Sequence, residues 1–218
     1  MKDIAGKGFF ISVAVLIVMF ATSGALVPAS AQSVQDVVAS VEGHYRDLGD
    51  LTAKIVQKNF LKSVNKTQIF DGALWIKKPG KLRLEYSNAQ MILIENKTAI
   101  FYSRKNEQLI RKTFTDFEHM NIPVAFLLGA ASIRNDFDVS QPEANAARLL
   151  ELVPKKPGAA MKKLRIQTDD SGRITILTIF DKSGNTTELQ FAEIREGVGL
   201  EDSLFVFKAP KGTEIIEQ

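Results

Sequence analysis

From residue 51 onward, apolar and polar side chains alternate in short runs broken by turn-forming residues. This two-residue period constrains the fold more than any other feature of the chain. Leu51, Ala53 and Ile55 alternate with Thr52 and Lys54, and Leu82, Leu84 and Tyr86 with Arg83 and Glu85. Such runs predict strands with one apolar and one wetter face. Further strands are expected near 67–77, 90–95, 98–103, 107–113, 136–141, 148–153, 161–168, 173–181, 186–194 and 203–208. Asn96-Lys97, Asp170-Ser171-Gly172 and Ser183-Gly184-Asn185 are short turn signals, so successive strands should be antiparallel neighbours.

Two segments break the period. Val34, Val37, Val38, Val41, Tyr45 and Leu48 recur at spacings of three and four, which predicts an amphipathic helix over 33–48 with a capping-box start at Ser33 and Asp36 and a stop at Gly49. Residues 117–133 include the helix entry Asn121-Ile122-Pro123 followed by Val124, Phe126, Leu127 and Leu128. A helix that is apolar nearly all round must be covered on most sides. The fold class is therefore mainly β with α. About eleven antiparallel strands must pair as a sandwich or curl into a barrel. The need to house two apolar helical segments favours an open, incomplete barrel whose concave face they fill.

The first 31 residues read as an export signal: Lys2 and Lys7, an apolar run from Phe9 to Phe20, and a small-residue cleavage site at Ala29-Ser30-Ala31. Cleavage after Ala31 leaves one domain, residues 32–218, in an exported protein. An uncleaved anchor is the rival reading, and Ser12, Thr22, Ser23, Gly24 and Pro28 interrupt the run against it. The remaining 187 residues hold 26 basic and 24 acidic side chains, which gives no electrostatic case for nucleic acid. No cysteine occurs, so no disulfide braces the fold and no lipidated cysteine anchors it.

Residues 70–86 read Phe-Asp-Gly-Ala-Leu-Trp-Ile-Lys-Lys-Pro-Gly-Lys-Leu-Arg-Leu-Glu-Tyr. This stretch resembles the LolA family pattern of a glycine, an aromatic-containing strand, a basic-Pro-Gly turn, and a strand with Arg and Tyr. Residues 92–102 resemble the hairpin that follows it, and residues 122–129 the family's lid helix. Residues 205–212, Phe-Val-Phe-Lys-Ala-Pro-Lys-Gly, resemble its closing strand and turn. The resemblance implies a LolA-like open barrel closed by lid helices, whose interior holds lipoprotein acyl chains. It implies a monomeric periplasmic carrier, without cofactor or enzymatic activity. Its partners would be an inner-membrane lipoprotein-releasing ABC transporter and an outer-membrane acceptor lipoprotein.

Carried onto this chain, the resemblance makes Trp75, Leu82, Leu84, Tyr86, Leu93, Phe101, Phe126 and Leu127 the expected lipid-binding lining. In the family an arginine before the proline tethers the lid. Here the residue is Lys78, which lacks the planar five-donor fork, so the tether is expected to be weaker or to pass to Arg83. A carrier of glycolipid or phospholipid on the same scaffold would look alike.

The residues offer little chemistry. His44 and His119 lie far apart in the sequence without metal-ligand spacing, and Gly-x-Ser-x-Gly, phosphate-cradling and dinucleotide-binding motifs are absent. His44 reads as a solvated helix residue. Asp136, Asp138, Asp169 and Asp170 read as solvated carboxylates beside strands or turns rather than as calcium ligands. No catalytic or metal site is expected.

Overall fold

Ser33 starts the first helix with a reciprocal cap. Its hydroxyl accepts the Asp36 amide at 3.2 Å, and the Asp36 carboxylate accepts the Ser33 amide, satisfying two donors that a helix start leaves free. The computed structural model describes residues 33–113, 123–128, 133–142, 148–156 and 161–218. The expected signal segment, and most of the segment from 117 to 132, lie outside them. Helix α1 spans Val34–Asp47 and buries Val37, Val38, Val41 and Tyr45, the side chains that the three-and-four spacing predicts.

The strands follow the alternation closely: β1 (Asp50–Leu61), β2 (Lys66–Lys77), β3 (Lys81–Tyr86), β4 (Gln90–Glu95), β5 (Thr98–Ser103) and β6 (Gln108–Thr113). Further along come a four-residue helix α2 (Ile133–Asp136) and β7 (Phe137–Ser140). Then follow β8 (Leu149–Pro154), β9 (Met161–Thr168), β10 (Ile174–Asp181), β11 (Thr186–Glu196) and β12 (Glu214–Glu217). They form one twelve-stranded sheet in the order β12-β6-β5-β4-β3-β2-β1-β11-β10-β9-β8-β7. Neighbours are antiparallel except β12 and β6, which run parallel. The sheet is unclosed, with β12 and β7 as its two edges.

The sheet curls rather than splitting into two layers. The 3-10 helix Pro123–Leu128 touches both β3 and β10, which β2, β1 and β11 separate within the sheet. One continuous core joins α1 and Leu127 to Leu74, Leu84, Leu152, Ile166 and Leu189. This defines an inner face. A cross-strand row on it runs Phe101, Ile92, Leu84, Leu74, Ala53. At Gly72 the inner face has no room for a side chain: a Cβ there would lie 2.6 Å from the Glu85 carbonyl oxygen.

Two local expectations need correction. Residues 203–208 do not form a strand: Asp202–Phe205 is a 3-10 helix followed by unpaired chain. Phe205 is buried there, with Leu204 and Phe207 beside it, against Met91, Tyr102 and Leu109 on the outer face. The apolar residues of this segment lie flat on a sheet face instead of extending a sheet edge. The twelfth strand comes later, at Glu-Ile-Ile-Glu, too short to show alternation. Within the segment read as the lid helix, the described part, Pro123–Leu128, is a 3-10 helix.

Candidate functional site

Among the described residues the inner face carries the larger of the two apolar clusters, and α1 and the Pro123–Leu128 turn lie over it. Helix α1 lays down Val37, Val38 and Val41, each exposed by 3 % or less. The Pro123–Leu128 turn adds Leu127 and Leu128, both buried, and half-buried Phe126, whose ring meets that of Phe137 edge-on at 6.2 Å. Beneath them lie Leu82 and Leu84, essentially inaccessible.

Tyr45 pins the end of α1 from two sides. Its hydroxyl accepts the Ile174 amide of β10 at 3.2 Å, and burial pushes its phenol well above the ordinary value. Its main-chain carbonyl accepts the Lys78 ammonium from the β2–β3 turn. Burial draws the Lys78 ammonium below its ordinary value. His44, beside it, is not solvated as the sequence suggests. Its Nε2 lies 3.0 Å from Glu196 Oε1, and its side chain is mostly covered.

Towards the opposite rim the inner face becomes mixed. Tyr86 donates to Gln57 Oε1 at 2.5 Å, and its ring lies 6.1 Å from that of Phe70, edge-on. Burial raises the Tyr86 phenol to about 12. Gln57 donates onward to Asn59 at 3.0 Å. Tyr86, at the head of this short polar chain, packs against the inner core that contains Leu84 and Leu74.

The eight residues expected to line a cavity divide between the two faces. Leu82, Leu84, Tyr86, Phe101, Phe126 and Leu127 lie together in the inner core or against it. Trp75 and Leu93 lie on the outer face with Tyr102, Leu109 and Phe205. The division follows from register: Trp75 pairs with Arg83 and Arg83 with Leu93, so all three point away from the row through Leu84. Of the two expected tethers, Lys78 reaches α1. Arg83 instead donates to the Leu204 carbonyl at 2.7 Å and to Glu85 at 2.8 Å on the outer face.

That outer face is strapped by residues 198–209, where the sequence predicts a strand over 203–208 and a closing strand and turn over 205–212. Buried Asp50 accepts the Val198 and Leu200 amides at 2.7 and 2.8 Å. Lys77 and Lys81 hold Asp202 at 2.7 and 3.1 Å, and they keep its carboxyl below the usual range. Between strap and sheet lies an open cleft of about 620 Å³ lined by Trp75, Arg83, Glu85, Glu201, Ser203 and Leu204. Among the described residues no three His, Asp or Glu side chains group as metal ligands.

The carboxylates of the β9–β10 turn are engaged rather than free. Asp169 accepts from the Ser171 hydroxyl at 2.6 Å and from the Arg173 guanidinium at 2.9 Å. Partial burial alone would raise its carboxyl, but these bonds and the backbone amides of Ser171 and Arg173 outweigh burial and hold it down at about 2. Asp170 pairs with Arg148.

Residues 46–208 match the sequence pattern of the family described as outer membrane lipoprotein carrier protein LolA. The chain belongs to the LolA family. An outer-membrane lipoprotein carrier protein of Chromobacterium violaceum is 26 % identical over 197 residues, covering 89 % of this chain and 92 % of the relative. Solved structures of low sequence identity share the fold. A domain described as a candidate outer membrane lipoprotein-sorting protein from Vibrio parahaemolyticus superposes with a TM-score of 0.50 at 13 % identity, over 79 % of this chain and 97 % of the other. An uncharacterized conserved protein from Thermus thermophilus gives 0.51 at 12 % identity, over 86 % and 100 %. In this LolA-family chain the basic-Pro-Gly turn joins β2 to β3, and its Lys78 is the residue that meets α1.

Proposed function

We propose that this protein is a periplasmic carrier that binds lipoprotein acyl chains on its inner face and moves them from the inner to the outer membrane. The observation that carries the reading is the coverage of that face: an apolar concave sheet sealed by one amphipathic helix and one short apolar turn. On this reading Leu82, Leu84, Tyr86, Phe101, Phe126 and Leu127 belong to the lining, and α1 with the Pro123–Leu128 turn forms the lid. Trp75 and Leu93, which face outward, leave the lining.

The energies suit exchange of lid for lipid. Lipoprotein acyl chains expose on the order of 40 methylenes at ~0.8 kcal/mol each, so crossing water unshielded would cost roughly 30 kcal/mol. Uncovering the four buried apolar side chains of α1 would cost on the order of 10 kcal/mol. About a dozen methylenes laid into the same space offset that cost, so a single acyl chain suffices to displace the helix. On this reading the polar chain Tyr86-Gln57-Asn59 would offer hydrogen bonds to the glycerol linkage of a diacyl cargo.

An inner-membrane lipoprotein-releasing ABC transporter would load the carrier and an outer-membrane acceptor lipoprotein would unload it. Depletion of the protein followed by separation of the two membranes tests the reading. Lipoproteins should accumulate at the inner membrane; their normal arrival at the outer membrane would overturn it. Mass spectrometry of material copurified with the protein identifies the cargo. Lipoprotein supports the proposal, whereas diacyl lipid or glycolipid alone would replace it with a lipid carrier on the same fold.

A further inference from the structure

Two hairpin turns meet at one rim of the sheet, and their contacts make them a single body. The Lys62 amide, in the 3-10 turn Lys62–Val64 between β1 and β2, donates to Asn185 Oδ1 at 3.0 Å in the β10–β11 turn. Asn185 is held in turn by both oxygens of Asp181, at 2.8 and 2.7 Å. The methylene stem of Lys62 lies over Gly184 so closely that a Cβ there would meet Lys62 Cδ at 2.6 Å.

The joined turns project. β2 pairs with β3 only from Gly72 onward, so residues 66–70 extend past the end of β3 by roughly 17 Å of strand. Val64 stands at the summit, 64 % exposed, and Ile69 flanks the projection at 61 %. Lys62 and Lys66 flank Val64 along the chain and Lys182 lies in the joined β10–β11 turn, all exposed. Among the described residues none of these three ammoniums has a carboxylate partner. The one carboxylate of the two turns, Asp181, is occupied by Asn185.

A lone exposed valine is ordinary on a protein surface. A valine at the summit of a projecting, internally braced hairpin pair that also carries three exposed lysines has the make-up of an interfacial anchor. The apolar tip enters the headgroup boundary while ammoniums on flexible stems meet lipid phosphates. A protein partner fits less well. Protein interfaces deplete lysine and favour aromatic residues and arginine, and lysine acts as a diffuse point charge without the arginine fork.

We propose that this tip, Val64 with Lys62, Lys66 and Lys182, docks the protein end-on to a bilayer surface containing anionic phospholipid. Docking is weak and salt-sensitive, because one small apolar side chain and three ammoniums supply it. It does not depend on what the inner face carries.

Sedimentation with phosphatidylethanolamine vesicles containing one-quarter phosphatidylglycerol tests the proposal, with phosphatidylcholine vesicles as the reference. The protein should pellet with the anionic vesicles at low salt and be released at high salt. The triple variant Lys62→Gln, Lys66→Gln, Lys182→Gln should bind on the order of a hundredfold more weakly, with an unchanged circular dichroism spectrum. In Val64→Trp, tryptophan emission should shift to the blue only with anionic vesicles. Equal binding to both vesicle types, undiminished binding of the triple variant, or an unmoved Val64→Trp spectrum would overturn the proposal. So would binding confined to native membranes and abolished by protease, which would assign the tip to a protein partner.

Discussion

The Lys78 ammonium donates to the main-chain carbonyl of Tyr45, joining the β2–β3 turn to the last turn of α1. The same tyrosine is held through its hydroxyl by the Ile174 amide, so one residue ties the helix that covers the inner face to two separated strands. A helix C-terminus leaves carbonyls without intrahelical partners, and a cation there also meets the favourable end of the helix dipole. The contact at Lys78 is a single-donor latch: strong enough to seat the helix, and without the second bond that an arginine fork would supply.

Lys78→Met keeps the stem and removes the donor. It should lower stability by about 1–2 kcal/mol and speed amide hydrogen exchange in α1 more than in β1. Lys78→Arg, able to reach more than one free carbonyl, should slow exchange in α1. Exchange rates in α1 identical across all three proteins would show that the contact does not hold the helix.

Gly72→Ala places a methyl 2.6 Å from a backbone oxygen of the neighbouring strand. Neither atom is the end of a flexible side chain, so the β2–β3 pair must spread. A loss of roughly 1–3 kcal/mol is expected, measured as a lower midpoint in urea. A midpoint equal to that of the parent protein would contradict the close approach.

Asp169 gives the fold an acid-sensitive contribution. Its folded carboxyl titrates near 2 rather than at the ordinary 3.8, so its bonds contribute fully above about pH 4 and fade as pH falls toward 2. The amount is on the order of 1–2 kcal/mol once solvent screening of this partly exposed carboxylate is counted. Asp169→Asn should therefore flatten the fall in stability between about pH 4 and pH 2 relative to the parent. Parallel acid limbs for the two proteins would rule the contribution out.

Asp50→Ala removes the acceptor for two strap amides and leaves them partly buried. Stability should drop by about 2 kcal/mol, and proteases should cut within residues 198–209 sooner. Since the strap covers the outer face, α1 exchange should be unchanged; faster α1 exchange would mean that the two faces are coupled.

Much of this architecture was legible in the residues alone. The two-residue period placed strands β1 to β11, because a half-buried strand must alternate. The Ser33 cap and the valine spacing placed α1, because both are local requirements of a helix. The motif around Lys78-Pro79-Gly80 pointed to the LolA family, and the family pattern over residues 46–208 shows it. Tertiary structure decided the rest. Trp75 and Leu84 are equally apolar in sequence, yet they lie on opposite faces because pairing register places Trp75 opposite Arg83 and Leu74 opposite Leu84. Phe205 and Phe207 alternate like a strand but lie across a sheet face, because apolar area was available there. The partners of Lys78, Asp50 and Lys62 lie 33, 148–150 and 123 positions away. Such contacts have no local signal, since only the pairing of β1 with β11 and with β2, and the seating of α1 beside them, brings those groups within hydrogen-bonding distance.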